Sequence, residues 1–185
     1  MKNLRKNINQ CRICEEYLAL GPRPVVSESK NSKIVIIGQA PGTKVHASGI
    51  TWDDTRGKQF RKWLVVSAEE FYDIDNFAIV PVGFCYLGKG KSRDFPPRKE
   101  CAPQWHDLLL HKMPNLKLIT FIGIFVQKYY LKENAKRTHT KMADNYPEYF
   151  VLPHPSYRNR FWLPKTISFE KNVLPELKET VKSII

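Results

Sequence analysis

The sequence predicts an α/β domain: a three-layer α/β/α arrangement around a central, mainly parallel four-stranded sheet. Three observations carry this expectation. Four apolar runs punctuate the 185 residues. The runs lack the period-2 alternation of half-exposed strands, as expected when both faces of a sheet are covered. Helical patterns lie between them, and strand–helix alternation implies parallel pairing. The length suits a single domain over residues 1–185 that can bury its core without staples.

Taken in order, KIVIIG (Lys33–Gly38) is the first strand. Gly57–Val66 follows as a helix, with Phe60, Trp63 and Leu64 at helical spacing. FAIVPVGF (Phe77–Phe84) is the second strand, and Cys101–Met113 the next helix, with Trp105, Leu108, Leu109 and Lys112 on one side. LKLITFIGI (Leu116–Ile124) is the third strand, Phe125–Leu131 a short helix and YFVL (Tyr149–Leu152) the fourth strand. In the tail, Ser168–Ile185, Ser168 is a candidate N-cap and Pro175 should kink the helix or restart it.

Hydrophobic residues make up 42% and aromatics 12%, which excludes a disordered chain. No run of about 18 apolar residues exists, so no membrane span is expected. The start, MKNLRKNINQCRIC, is basic without the apolar stretch of a secretory signal and reads as a cytoplasmic protein. Thirty Lys and Arg against 18 Asp and Glu give a net charge of +12. That excess suits a polyanionic partner, nucleic acid first, without choosing among DNA, RNA and an acidic protein.

Cys11 and Cys14 form a C-x2-C pair, while fifteen residues separate Cys85 from Cys101. Four thiolates could hold zinc or an iron–sulfur cluster. Burial without a ligand is a fair alternative for Cys85, which ends an apolar run, but a poor one for the polar segment around Cys11 and Cys14.

Open parallel sheets bind ligands at the carboxyl ends of their strands. Three of those ends carry unusual sequences: GQAPG, GFCYLGKG and PHPSYRN. Gly38, Pro41 and Gly42 let backbone N–H groups approach a ligand, in a pattern that is neither G-x-G-x-x-G nor a P-loop. Trp52 offers a flat stacking surface beside Asp53 and Asp54, one of which is a natural helix N-cap. Residues 85–101 place Lys89, Lys91, Arg93, Arg98 and Lys99 among glycines and prolines, as a phosphate-binding or simply solvated loop. Pro153 and Pro155 stiffen the backbone around His154, which is either presented to a ligand or satisfied in the core.

GQAPG, the G-x-x-W-D-D-x-x-G segment ending at Gly57, the late HPS-x-RN and the cysteine spacing together resemble the uracil-DNA glycosylase superfamily, from Cys11 to the C-terminal helix. The cysteine spacing is similar to that of its iron–sulfur group, which implies a [4Fe–4S] cluster on Cys11, Cys14, Cys85 and Cys101. HPSYRN is similar to the motif of the single-strand-selective branch. The resemblance implies a monomeric enzyme that hydrolyses the N-glycosidic bond of uracil, or a related deaminated base, in single- or double-stranded DNA. The product would be an abasic site that initiates base excision repair. It gives His154 the role of hydrogen-bond donor to the base and Asp54, counted back from Gly57, that of the carboxylate near the sugar, with Asp53 as the fallback. Trp52 takes the base-stacking place. Gly38, Gln39, Ala40, Gly83 and Ser156 would line the pocket, and Tyr157, Arg158 and Asn159 would fill or brace the vacated stack.

Three positions depart from the family pattern. Ala40 stands where the best-known branch has a catalytic aspartate. PVGFC lacks the asparagine that reads the uracil edge, leaving recognition to backbone groups near Val82 and Gly83. Thr51–Trp52 replaces the commoner Pro-Phe. These departures keep two other expectations in view: a non-catalytic nucleic-acid-binding domain with the same fold and cluster, and a zinc-stapled nucleic-acid binder.

Overall fold

The computed structural model describes residues 1–131, 139–140, 148–156 and 169–185. Its sheet has the order β2-β1-β3-β5-β4. β1 (Ile34–Ile37) pairs in parallel with β2 (Phe77–Ile79) and with β3 (Leu118–Ile122), and β3 pairs in parallel with β5 (Glu148–Leu152). This is the parallel four-stranded sheet expected from the four apolar runs. A fifth strand, β4 (His139–Thr140), joins β5 antiparallel at the edge and was not expected. It is two residues long and announces itself by no apolar run.

The covered faces explain the unbroken apolar runs. Along β1, Ile34 and Ile36 point into one core and Val35 and Ile37 into the other. The first core meets α3 (Thr55–Leu64), α4 (Ala68–Tyr72) and α7 (Leu174–Ile184) through Phe60, Phe71 and Leu177. The second meets α1 (Lys2–Asn9), α5 (Cys101–Leu110) and α6 (Ile124–Leu131) through Ile8, Leu109 and Val126. Helices therefore cover both faces, making the three layers.

Several elements differ from expectation for visible reasons. β2 stops at Ile79, well short of Phe84, because Pro81 has no N–H to contribute. The chain nevertheless stays beside β1: the Val80 N–H donates to the Ile36 carbonyl at 2.9 Å and the Val82 N–H to Gly38 at 2.8 Å. In α5 the buried stripe is Ala102, Trp105, His106 and Leu109, whereas Leu108 is 49% exposed. α1 was not expected; Leu4 and Ile8, four apart among basic residues, bury its one apolar edge. Arg5 locks it down, donating from Nε to buried Glu28 at 2.8 Å. α4 carries a reciprocal Ser67–Glu70 capping box. A π turn, Phe169–Val173, leads into α7, which starts afresh with Pro175 in its first turn, as Pro175 suggested. The proposed cap Ser168 lies outside the described residues.

Candidate active site

A cleft of about 750 Å³ opens at the carboxyl ends of β1, β2, β3 and β5. The loop after β1 supplies Gly38, Gln39 and Ala40, and α2 (Thr43–Ser48) follows that loop. Ile79 comes from the end of β2 and Pro81 from the segment that follows it, Phe125 from the start of α6, and His154 and Ser156 from the segment after β5. A short hairpin bridged at Lys89 and Asp94 forms the remaining wall.

Gly49 ends α2 in the left-handed region, at φ 76°, and the chain then doubles back to Trp52. Trp52 itself has φ 58°, a conformation rare and costly for a bulky residue. Two glycines make it possible. A β-carbon at Gly57 would overlap the Trp52 carbonyl, and one at Gly38 would stand 3.3 Å from the indole Cζ2. The indole thus lies over the end of β1. Phe60 packs on it at 5.3 Å between centroids, and the imidazole of His154 stacks at 5.8 Å and 29°.

His154 rests beside Gly123, whose φ of 86° turns the chain away after β3. Burial, seconded by the Arg56 charge, pushes its pKa down to about 4 against the opposing pull of Asp54. At neutral pH the ring is uncharged, with an N–H to donate and no proton in excess.

Asp54 is the N-cap of α3. Its Oδ1 accepts the Arg56 N–H at 2.9 Å and the Gly57 N–H at 3.0 Å, while Arg56 Nε donates to Oδ2 at 2.6 Å. Its side chain is only 7% exposed. Burial raises its pKa, but hydrogen bonds from Arg56 and Gly57 outweigh this and the net shift is downward. Asp53 is exposed and does not line the cleft. The two carboxylates therefore divide, and only Asp54 reaches the site.

The expected pocket residues Gly38, Gln39, Ala40, Trp52 and Ser156 all line the cleft with Asp54 and His154. Gly83 does not. It packs behind the loop, where a β-carbon would meet Pro97 at 3.0 Å and Ala40 at 3.6 Å. Its N–H already donates to the Gln39 carbonyl at 2.9 Å, as that of Val82 does to Gly38. Those two donors are spent holding the walls together. Tyr157, Arg158 and Asn159 lie outside the described residues.

Sequence reasoning missed Arg56, Asp94, Phe95 and Phe125, all on the cleft lining. Arg56 was findable, because a cation two residues after an N-cap aspartate can fold back onto it. Phe125 was findable too, since the end of β3 is a strand end like the others. The basic loop also divides. Lys89 and Arg93 line the cleft, whereas Arg98 pairs with Glu100 and lies 3.8 Å over the Tyr17 ring.

Arg98 belongs to a second, largely apolar cavity. Cys11, Cys14, Cys85 and Cys101 all line it, together with Ile8, Leu18, Phe84 and Trp105. The four cysteines are free of disulfides. Burial pushes Cys85 up to about 11 and Cys101 up to about 12, although the Phe84 N–H donates to Cys101 Sγ at 3.4 Å. Cys14 is raised as well, first by burial and then by Glu100. Such thiols hold their protons at neutral pH and are poor nucleophiles. Among the described residues, no three His, Cys, Asp or Glu side chains are placed to hold a single metal ion.

The fold and the cleft define an α/β domain whose strand ends bring an indole, an imidazole and a buried carboxylate to one space, with Lys89 and Arg93 on the same lining. The family model of the Uracil DNA glycosylase superfamily matches residues 25–178, and the chain belongs to that superfamily. Membership points to DNA glycosylase activity in general, with DNA as the partner. The matched span begins after Cys11 and Cys14 and includes Cys85 and Cys101. Among the described residues no helix is long and apolar enough to cross a membrane.

Proposed function

We propose that the protein excises uracil, or a related deaminated base, from DNA by hydrolysing its N-glycosidic bond. The observation that carries this reading is the stack of His154 on Trp52, with Asp54 lining the same cleft. A nucleotide swung out of its strand costs a few kcal/mol to extrude, least where the base is mispaired or single-stranded. Its base would lie against the indole. Breaking the bond between base and sugar leaves electrons on the base and positive charge on the sugar. Neutral His154 donates a hydrogen bond to the base oxygen and stabilises the anion. Ionised Asp54 faces the positive sugar and orients the incoming water, much as carboxylates do in glycosidases. Water adds to the sugar carbon, and its proton ends on the departing base. Because Asp54 already accepts three hydrogen bonds, from Arg56 and Gly57, its charge contributes more than its basicity.

Backbone groups of Gln39 and Ala40 and the shape of the Pro81 wall would read the base. Tyr157, Arg158 and Asn159 are assigned to the gap left in the stack. We further propose that Cys11, Cys14, Cys85 and Cys101 hold a [4Fe–4S] cluster. The donor set fits: four free thiols from three chain segments line one apolar cavity, and four cysteines are the usual ligands of such clusters. The cluster's contribution when bound is structural, tying the N-terminal segment to the ends of the 85–101 loop.

A domain that binds DNA without turnover is the second reading, favoured by Ala40 and by the three hydrogen bonds that Asp54 already accepts. One assay separates the two. A labelled single-stranded oligonucleotide with one uracil is treated with protein and then with alkali. Cleavage by the wild type and not by His154→Ala supports excision; binding without cleavage by either overturns it.

A further inference from the structure

The stretch of cleft wall after β2 carries no polar side chain of its own, since PVGFC supplies none where the chain passes the cleft. Pro81 lines the cleft there. From behind, the wall is gripped by a histidine outside the site. His106, on α5, is 1% exposed, and its Nε2 lies 3.0 Å from the Pro81 carbonyl oxygen. A carbonyl only accepts, so Nε2 must carry the proton. Burial pushes the His106 pKa down to about 4, so the ring is neutral and Nδ1 is left as an acceptor. Nδ1 meets the Tyr130 hydroxyl of α6, which must therefore donate. Phe84 stacks on the imidazole at 14°, fixing its plane. Each donor and acceptor in the row has one consistent direction: Tyr130 O–H to His106, His106 N–H to Pro81.

On the front side, the neighbouring Val82 N–H donates to Gly38 and the Gly83 N–H to Gln39, and both acceptor residues line the cleft. The Pro81–Gly83 segment is thus held from both sides. We infer that His106, oriented by Tyr130, is a positioning residue that sets where the base-reading wall stands and so governs base selectivity. This rests on the glycosylase reading of the cleft. A wall that recognises by backbone and shape depends on its placement more than a long, adjustable side chain does. A displacement near 1 Å can cost about 10²-fold in rate.

The experiment compares the wild type with His106→Phe, Tyr130→Phe and His106→Gln. The glutamine amide keeps a donor near the Nε2 position. Two readouts are taken: kcat/KM on the uracil oligonucleotide, and the ratio of Kd values for thymine and uracil oligonucleotides, the latter bearing a non-cleavable 2′-fluoro-deoxyuridine. His106→Phe should lose about 10²-fold in kcat/KM and most of the binding preference, with affinity for the thymine strand unchanged. Tyr130→Phe should lose less, and His106→Gln should recover most of the loss. A His106→Phe protein that melts lower yet keeps its Kd ratio, or loses affinity for both strands equally, overturns the inference. Absence of cleavage by the wild type would overturn the glycosylase reading alone, because the Kd ratio still decides the role of His106.

Discussion

The cleft and the cysteine cavity stand on either side of the 85–101 loop and handle protons in contrasting ways. In the cleft, hydrogen bonds from Arg56 and Gly57 outweigh burial and hold Asp54 ionised, while burial keeps His154 neutral. One charged and one uncharged side chain line the same cleft. In the cavity, burial dominates and pushes the Cys85 and Cys101 thiols up. A metal centre held there would have to displace protons, so its binding would weaken as pH falls. The lesson is that burial sets the protonation state of a buried group unless donors converge on it, as they do on Asp54.

Replacing a cysteine should give the largest effect on the whole molecule. Cys85→Ser is expected to lose iron and acid-labile sulfide, show the greatest fall in Tm, and lose activity with it. A colourless wild type that contains zinc would break the comparison. His154→Ala should sharpen it, dropping kcat by about 10²–10³-fold while Tm and DNA affinity stay near the wild-type values. Asp54 separates two roles within one residue. Asp54→Asn keeps a capping oxygen and should lose about 10²-fold in kcat, while Asp54→Ala should in addition lose about 1 kcal/mol of stability, read as a denaturant midpoint.

The pH dependence follows from the histidines. His154 and His106 have pKa values pushed from 6.5 down to about 4, so the unfolded chain binds more protons between those limits. Their contribution to stability is complete above pH 6.5 and is lost as pH falls towards 4. Urea midpoints measured from pH 7 to 4 should fall, and fall less in His154→Ala. The smallest effect is at the rim: Arg93→Ala should weaken DNA binding uniformly across sequences and reduce the salt slope of log K by about 1.

Much of the fold was legible because burial on both faces leaves an uninterrupted apolar run, as in Ile34–Ile37 and Leu118–Ile122. β4 was not, because two residues pairing at an edge leave no pattern. α1 hid because Leu4 and Ile8 sit among lysines, arginine and asparagines. In the site, Trp52 and His154 could be read from local sequence, as the bend and the prolines that present them are adjacent in the chain. The choice between Asp53 and Asp54 could not, since it turns on which carboxylate meets Arg56 and the first turn of α3. His106 was missed for a plainer reason: Tyr130 and Pro81 lie 24 and 25 residues away, and a bond through space has no spacing to read.

The indole held over Gly38 by its left-handed backbone has an optical consequence. Trp63 and Trp105 are buried in the two cores, so among the described tryptophans Trp52 alone lines the cleft. A base arriving on its face would quench its fluorescence, while Trp63 and Trp105 would supply a constant background. On the proposed reading Trp52 would be a probe at the point where a flipped nucleotide lands, and stopped-flow emission could time base capture separately from bond cleavage without attaching a dye.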